Sequence, residues 1–433
     1  MINSKLISIN KFTKPKAINP NLVNKKNRTI LNWFIFFIVF PSINILGNSI
    51  TFYIFIYLLY KFGDFWNKKY SGKQFFMLFA TAIVISTASG ANIYMERHLG
   101  IGQSIQTLIQ YMYWIFAAAF FSVNFFKINR IELSKWVFYG IIAISIGFYV
   151  LPFKLDLGSL IIETSLTRNA FVFTLLATMP ISFYYLFHKF KGNQLLVFFP
   201  IYLFNIVLTN GRSGAIIGVI ELMFIAAVIY PVFNKFLKVL LIPLIALVYF
   251  MQTDAAQIYL EIVANKVEPI APRLSRMMRS EGDGDLSSDK SWLHRKLMID
   301  KAFEISEDYP FLGIGPNNFK YYDSKMNTYW QYERLTNMPL DYYNKRSAHN
   351  SYVQLIAETG YIGLLLFLVI ILFPVYYLFR IILTQDISIS HLPLIATFGI
   401  ALHFYAISAL TGALPWVVLG ISWSIIGTFK KKI

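Results

Sequence analysis

The sequence predicts an all-α polytopic membrane protein with about twelve transmembrane helices. Three observations predict it. Of the 433 residues, 56% are hydrophobic and only 14% are charged, where a soluble domain has about 45–50% and about 25%. Uncharged stretches long enough to form bilayer-crossing helices recur along the whole chain, and mean hydropathy is positive. The Lys and Arg residues fall on alternating connections, as the positive-inside rule requires. Together these exclude a soluble globular protein, a disordered chain and a collagen. A transmembrane β-barrel would show short alternating segments instead. There is no cysteine, so disulfides, thiolate metal sites and thiol nucleophiles are excluded. A net charge of +17 would point to nucleic acid in a soluble protein. In a membrane protein it reports on sidedness, and no nucleic-acid partner is expected.

Taken in order, residues 1–30 form a polar basic tail, expected in the cytoplasm, with no apolar core or cleavage site of a signal peptide. Expected spans cover 31–45, 47–61, 74–90, 104–125, 136–153, 169–187, 194–209, 213–231 and 236–252, then 351–379, 390–409 and 412–428. With both termini inside, 22 of the 39 Lys and Arg lie on inner pieces, and only Arg97, Lys154, Arg168 and Arg212 lie on short outer loops. The other 13 lie in one long segment, 253–350, and long loops translocate largely regardless of charge. The domain reading is therefore a tail (1–30), nine spans (31–252), a large outer loop (253–350), and three spans with a short inner tail (351–433).

A loop of that length is usually functional. Its stretch from Glu281 to Ser291 is polar. An amphipathic helix is expected at 291–306, with Leu293, Leu297 and the Ile299/Phe303 pair on one side and Lys296, Asp300 and Glu304 on the other. It should end before Pro310. A Gly- and Pro-rich turn follows, Phe311-Leu312-Gly313-Ile314-Gly315-Pro316-Asn317-Asn318-Phe319, and then an aromatic, polar stretch up to His349.

Several residues in and beside the loop can carry chemistry. Arg212 sits in Asn210-Gly211-Arg212-Ser213-Gly214, at an outer turn opening a span. A guanidinium there can grip a phosphate by a bidentate fork, with backbone N–H groups of the helix start beside it. The competing role is an arginine that snorkels to the interface. His349 can serve as a general base near neutral pH, or be a solvated loop histidine. Glu358 is an ionisable group inside an apolar span and so a functional candidate. A hydrogen-bonding role inside the bundle is equally open. Arg295 lies on the loop helix, and Arg273, Arg276 and Arg279 cluster at the exit of the ninth span. Each set can bind anions or merely solvate the loop. Asp283-Gly284-Asp285 with Asp289 lacks the spacing of a calcium loop and reads as linker. No metal site and no cofactor is expected.

In this order the motifs resemble the O-antigen ligase and polymerase superfamily of bacterial envelopes. The resemblance rests on the Asn210–Ala215 turn, on the Arg295 helix leading to Pro310–Phe319, and on His349-Asn350 followed by Gln354 and Glu358-Thr359-Gly360-Tyr361-Ile362-Gly363. It also rests on the long loop after the ninth span. It spans about 207–375; the first 200 residues match in hydropathy only. The resemblance implies a C-type glycosyltransferase-like fold in the inner membrane that works without a metal. It implies transfer of a glycan from undecaprenyl pyrophosphate, on the periplasmic face, to a lipid A-core hydroxyl (ligase). In a polymerase the acceptor is another lipid-linked repeat, and a protein acceptor is a third version. Arg212 and Arg295 fall on the family's expected pyrophosphate-binding arginines and His349 on its candidate base, with Glu358 able to orient that base. Ser213, Asn350 and Arg273 are further candidates. Many members have a serine just before the turn arginine; here Gly211 stands there and Ser213 follows. A lipid-linked oligosaccharide flippase, the rival from another class, predicts mid-membrane charges and a repeat between halves. Neither stands out in the sequence.

Overall fold

The computed structural model describes residues 25–40, 43–45, 48–61, 71–96, 101–125, 128–150, 154–156, 160–163, 167–190, 192–208, 212–230, 290–322, 348–384, 387–405 and 412–429, with a few isolated positions between them. The described part is mostly helical. In chain order the helices are α1 (Lys25–Val39), α2 (Ile50–Lys61), α3 (Ser71–Glu96), α4 (Ile101–Asn124), α5 (Arg130–Tyr149) and α6 (Arg168–Lys189). Then come α7 (Phe198–Leu208), α8 (Arg212–Ile229), α9 (Lys290–Asp308), α10 (Ser351–Thr384), α11 (Leu392–His403) and α12 (Ala413–Phe429). Four stretches, Gly72–Gly90, Arg130–Tyr149, Asn169–Lys189 and Ser351–Thr384, are long and apolar enough to cross a membrane. This is consistent with a polytopic membrane protein. The expected ninth span, 236–252, the basic residues before Lys25, and the Glu281–Asp289 part of the polar stretch lie outside the described residues.

Two details depart from the expected all-α chain. The first expected span, 31–45, begins earlier, at Lys25, and stops at Val39, where the residues before Pro41 leave helix. Its last residues instead form strand β1 (Ile43–Ile45). With β2 (Asn48–Ser49), β3 (Lys154–Asp156) and β4 (Leu160–Glu163) it makes a small antiparallel sheet, ordered β2-β1-β4-β3. Ile43 pairs with Ile162 and Lys154 with Glu163, so the sheet ties the α1–α2 connection to the α5–α6 connection.

The core is aromatic and closely packed. Phe79 of α3, Phe367 of α10 and Trp416 of α12 form a triangle of rings with centroids 5.6–5.8 Å apart. Gly420 brings α12 against the Ala118 carbonyl of α4, where a Cβ would collide. Polar groups inside the bundle are largely paired: Trp423 Nε1 donates to the Ile370 carbonyl at 2.9 Å, and Asn32 Nδ2 to Glu132 Oε1 at 2.6 Å. In contrast, Tyr361, Leu365, Val369, Leu372, Tyr376 and Leu383 leave one side of α10 exposed, the apolar surface expected against lipid.

A second, smaller core joins the loop to the bundle. Leu297, Met298, Ala302 and Ile305 of α9 pack with Ile314, Phe319, Tyr322, Ala348 and Ala357. The helix ends at Asp308, as the proline rule predicts. Its buried face differs from the expected one: Phe303 is 49% exposed, while Lys301 is fully buried with its ammonium 5.0 Å from the Phe319 ring centroid. Leu297, Lys301 and Ile305 recur every fourth residue, and the long aliphatic stem of Lys301 lets a charged residue sit on the apolar stripe.

Candidate functional site

The site is built around an interruption in α10. Helical geometry runs from Ser351 and breaks at Gly360, whose φ of 65° and ψ of −171° are not helical. A break there orphans four backbone groups: the carbonyls of Ala357 and Glu358, and the N–H groups of Tyr361 and Ile362, which an unbroken helix would join to each other. The Gly/Pro-rich turn satisfies all four. Ile314 N–H donates to Ala357 O at 3.0 Å and Gly315 N–H to Glu358 O at 2.8 Å, while Tyr361 N–H donates to Pro310 O at 2.8 Å and Ile362 N–H to Phe311 O at 3.4 Å. In a setting poor in water such replacement is obligatory. The approach needs glycine on both sides. A Cβ on Gly360 would strike the Phe311 carbonyl, and one on Gly313 would strike the Glu358–Thr359 peptide. Both have positive φ. Helix α3 supplies the third wall: Ser86 Oγ donates to Glu358 O at 2.6 Å, and Gly90 leaves room for the Ile314 carbonyl.

Glu358 is 1% exposed. Its carboxylate accepts from Gln354 Nε2 at 3.0 Å and from the backbone N–H groups of Asn317 and Phe319, with Lys320 within electrostatic reach. These bonds make it the inner clamp of the turn. It stands nine residues beyond His349, about 13 Å along a helix, and its partners do not include that histidine. Asn350 is a helix cap: its Oδ1 accepts from the N–H groups of Tyr352 at 3.0 Å and Val353 at 3.1 Å. His349, just before the cap, is half-buried and has a φ of 50°, a left-handed conformation that costs an L-residue roughly 1–2 kcal/mol. Such residues cluster at functional sites.

The α10 start is fastened to the end of α11. Ser351 N–H donates to Phe404 O at 2.8 Å and Ser351 Oγ to Ile407 O at 2.6 Å. At that junction His403 stacks on Phe173 of α6, with centroids 5.8 Å apart, and Arg295 of α9 lies within electrostatic reach of the imidazole. Arg295 itself is exposed. Helix α8 opens at Arg212, and two residues on, Gly214 packs directly on Val172, the neighbour of Phe173. The elements bearing Arg212, Arg295 and His349 therefore converge on one end of the bundle. The start of α8 includes Ser213. Arg273, Arg276, Arg279 and the Asp283–Asp289 stretch lie outside the described residues. Across the turn, Tyr322 donates to Asp308 Oδ2 at 2.8 Å. Burial, reinforced by that bond and by the charges of Glu304 and Asp308, pushes its phenol up. Among the described residues no group of three or more His, Asp or Glu could hold a metal ion.

Residues 195–368 match the family described as O-antigen ligase. That segment is similar to the O-antigen ligase family, the superfamily that its motifs resemble. The matched segment contains the α8 start, the α9 helix, the Pro310–Phe319 turn and the break in α10, while the walls supplied by α3, α6 and α11 lie outside it. No curated protein matches the chain.

Sequence reasoning overlooked two buried residues of this protein. His403 is one. Glu221 is the other: it lies midway along α8, fully buried, against Gly399 of α11, and neither carboxylate oxygen has a hydrogen-bond partner among the described residues. Both were legible as single ionisable groups in apolar spans, and Glu221 is a mid-helix charge of the kind the sequence reading found wanting.

Proposed function

We propose that this protein is an O-antigen ligase-type glycosyltransferase that moves a glycan from undecaprenyl pyrophosphate to an acceptor hydroxyl on lipid A-core. The reaction runs on the periplasmic face of the inner membrane. The observation that carries this reading is the convergence of the Arg212 helix start, Arg295 and His349 on one end of the bundle, within the segment matched to the family.

The chemistry asks for this set. The acceptor oxygen attacks the anomeric carbon; a new C–O bond forms as the bond to the diphosphate oxygen breaks. The diphosphate leaves with the electron pair, and the acceptor proton passes to a base. Arg212 and Arg295 supply fixed cations for the charge that develops on the leaving group. Neutral His349 takes the proton. Glu358 acts as a positioning residue, holding the turn and hence α9 in place. A single in-line displacement inverts the anomeric configuration.

The test is the glycan profile of a deletion strain complemented with wild type or Arg212→Ala, with lipid-linked glycan extracted in parallel. Bare lipid A-core with polymer accumulating on the carrier lipid is the expected result for deletion and variant alike, at unchanged protein level. Core capped by a single repeat would make it a polymerase. An unchanged ladder would overturn the reading.

A further inference from the structure

The exposed apolar side of α10 has a sharp end on the loop side. Between Ser351 and Gly360 no residue is exposed. Exposure begins at Tyr361 and Ile362, immediately past the break, and exposed apolar residues recur as far as Leu383. From Tyr361 to Leu383 the helix rises about 33 Å, against a hydrocarbon core about 30 Å thick. The usual tilt of about 20° absorbs the difference. The break at Gly360 therefore sits at one face of the bilayer core. Arg380, exposed near the far end of the helix, sits by the other face, where a long basic side chain reaches water. Helix α3 gives the same level independently. Its uncharged stretch covers 74–95, and it meets the turn at Gly90, about 8 Å short of the outer end of that stretch.

The turn from the loop is bonded to α10 at that level. Ile362 N–H donates to Phe311 O, and Gly360 lies directly against the Phe311–Leu312 peptide. The depth of Phe311 is thus that of the break, to within the length of a side chain. Phe311 is 68% exposed, and Tyr309, Tyr361 and Ile362 are exposed with it. Three exposed aromatic residues gather where a bilayer passes from hydrocarbon to headgroup, the level that amphipathic rings favour. The exposed acids Glu307 and Asp308 precede them on α9. We propose that the Pro310–Phe319 turn rests on the membrane, with Phe311, flanked by Tyr309 and Tyr361, lying in the headgroup–acyl boundary on the loop side. The occupant of this face is lipid, because the face begins where the lipid-facing stripe of α10 begins: Tyr361, Leu365, Val369 and Leu372 follow one another at helical spacing. The joint then holds the loop at the depth of a lipid-borne diphosphate. That consequence alone rests on the proposed transferase reading; the position of the turn does not.

The chain has no cysteine, so single introduced cysteines carry a nitroxide label without background. Glu307→Cys, Phe311→Cys, Tyr361→Cys and Val369→Cys are labelled in the full-length protein in phosphatidylcholine nanodiscs. Power saturation then measures collisions with oxygen, which concentrates in hydrocarbon, and with a soluble nickel chelate, which is excluded from it. The oxygen-to-nickel ratio should rise from position 307 through 311 and 361 to 369, with 311 several-fold above 307. A ratio at 311 equal to that at 307 would put the turn in water and overturn the proposal. Equality with 369 would overturn it as well, since the turn would then lie deep in hydrocarbon. A label at 311 that meets neither reagent is covered by protein, and the face would be a protein contact instead. Position 361 repeats the test on the α10 side of the joint: its ratio must also fall between those of 307 and 369. No substrate is present, so the result stands apart from the transferase reading.

Discussion

Ile314 N–H donates to the Ala357 carbonyl at 3.0 Å, in the position that an unbroken helix reserves for Tyr361. One turn of chain from the long loop is thus built into a helix of the bundle as a substitute for its own hydrogen bonds. The Pro310–Phe319 motif and the Glu358–Gly363 motif are two halves of one joint.

Gly360→Ala should break that joint. The added Cβ meets the Phe311 carbonyl, and the backbone must hold φ at 65°. We expect a loss of about 3 kcal/mol, seen as a lower melting temperature in detergent and strongly reduced activity. Wild-type stability would mean that the interruption is not needed.

Glu358 separates positioning from catalysis. Glu358→Ala strands the Gln354 amide and the Asn317 and Phe319 N–H groups, at a cost of about 3 kcal/mol in all. Glu358→Gln keeps an acceptor oxygen and should retain a measurable fraction of the turnover. Were the carboxylate to take part in proton transfer, both variants would be equally dead at full stability.

Asn350 should behave as a cap. Asn350→Ala is expected to cost about 1 kcal/mol with turnover lowered in step with folded protein, and Asn350→Asp should restore both. Loss of turnover in a fully stable Asn350→Asp would instead assign the amide to substrate.

Glu221 carries the opposite sign. Its oxygens lie unpaired beside Gly399, so Glu221→Met, of similar length, should raise stability by about 1–2 kcal/mol. A thermal melt decides it: a fall would show that the carboxylate has a partner when the protein is embedded in lipid.

What the sequence disclosed, and what it hid, follows from the range of the interactions. Hydropathy is a local property, so most of the described helices appear where apolar runs predict them, and Pro310 ends α9 because proline acts on its immediate neighbours. The buried face of α9 was misread because Lys301 looks polar in a pattern, while its stem and its place over Phe319 are tertiary facts. The break at Gly360 was invisible to periodicity. Glycine alone does not end a helix, and only the arrival of the loop turn makes the break stable. His349 and Arg295 were named from motif and charge, yet the junction that gathers them depends on Ser351, Phe404 and His403, which no spacing rule connects. Short strands such as β1 were absorbed into apolar runs for the same reason.

The four-bond joint also decides how the loop can move. Helix α9 is pinned at its Asp308 end and carries Arg295 thirteen residues back, about 20 Å away along its axis. A tilt of about 10° about that joint would carry the guanidinium roughly 3 Å, and the buried Leu297, Met298 and Ala302 resist it along the helix. The packing of Leu297, Met298 and Ala302 thus sets how stiffly Arg295 is held, and the glycines at the joint set how closely the loop can approach the bundle.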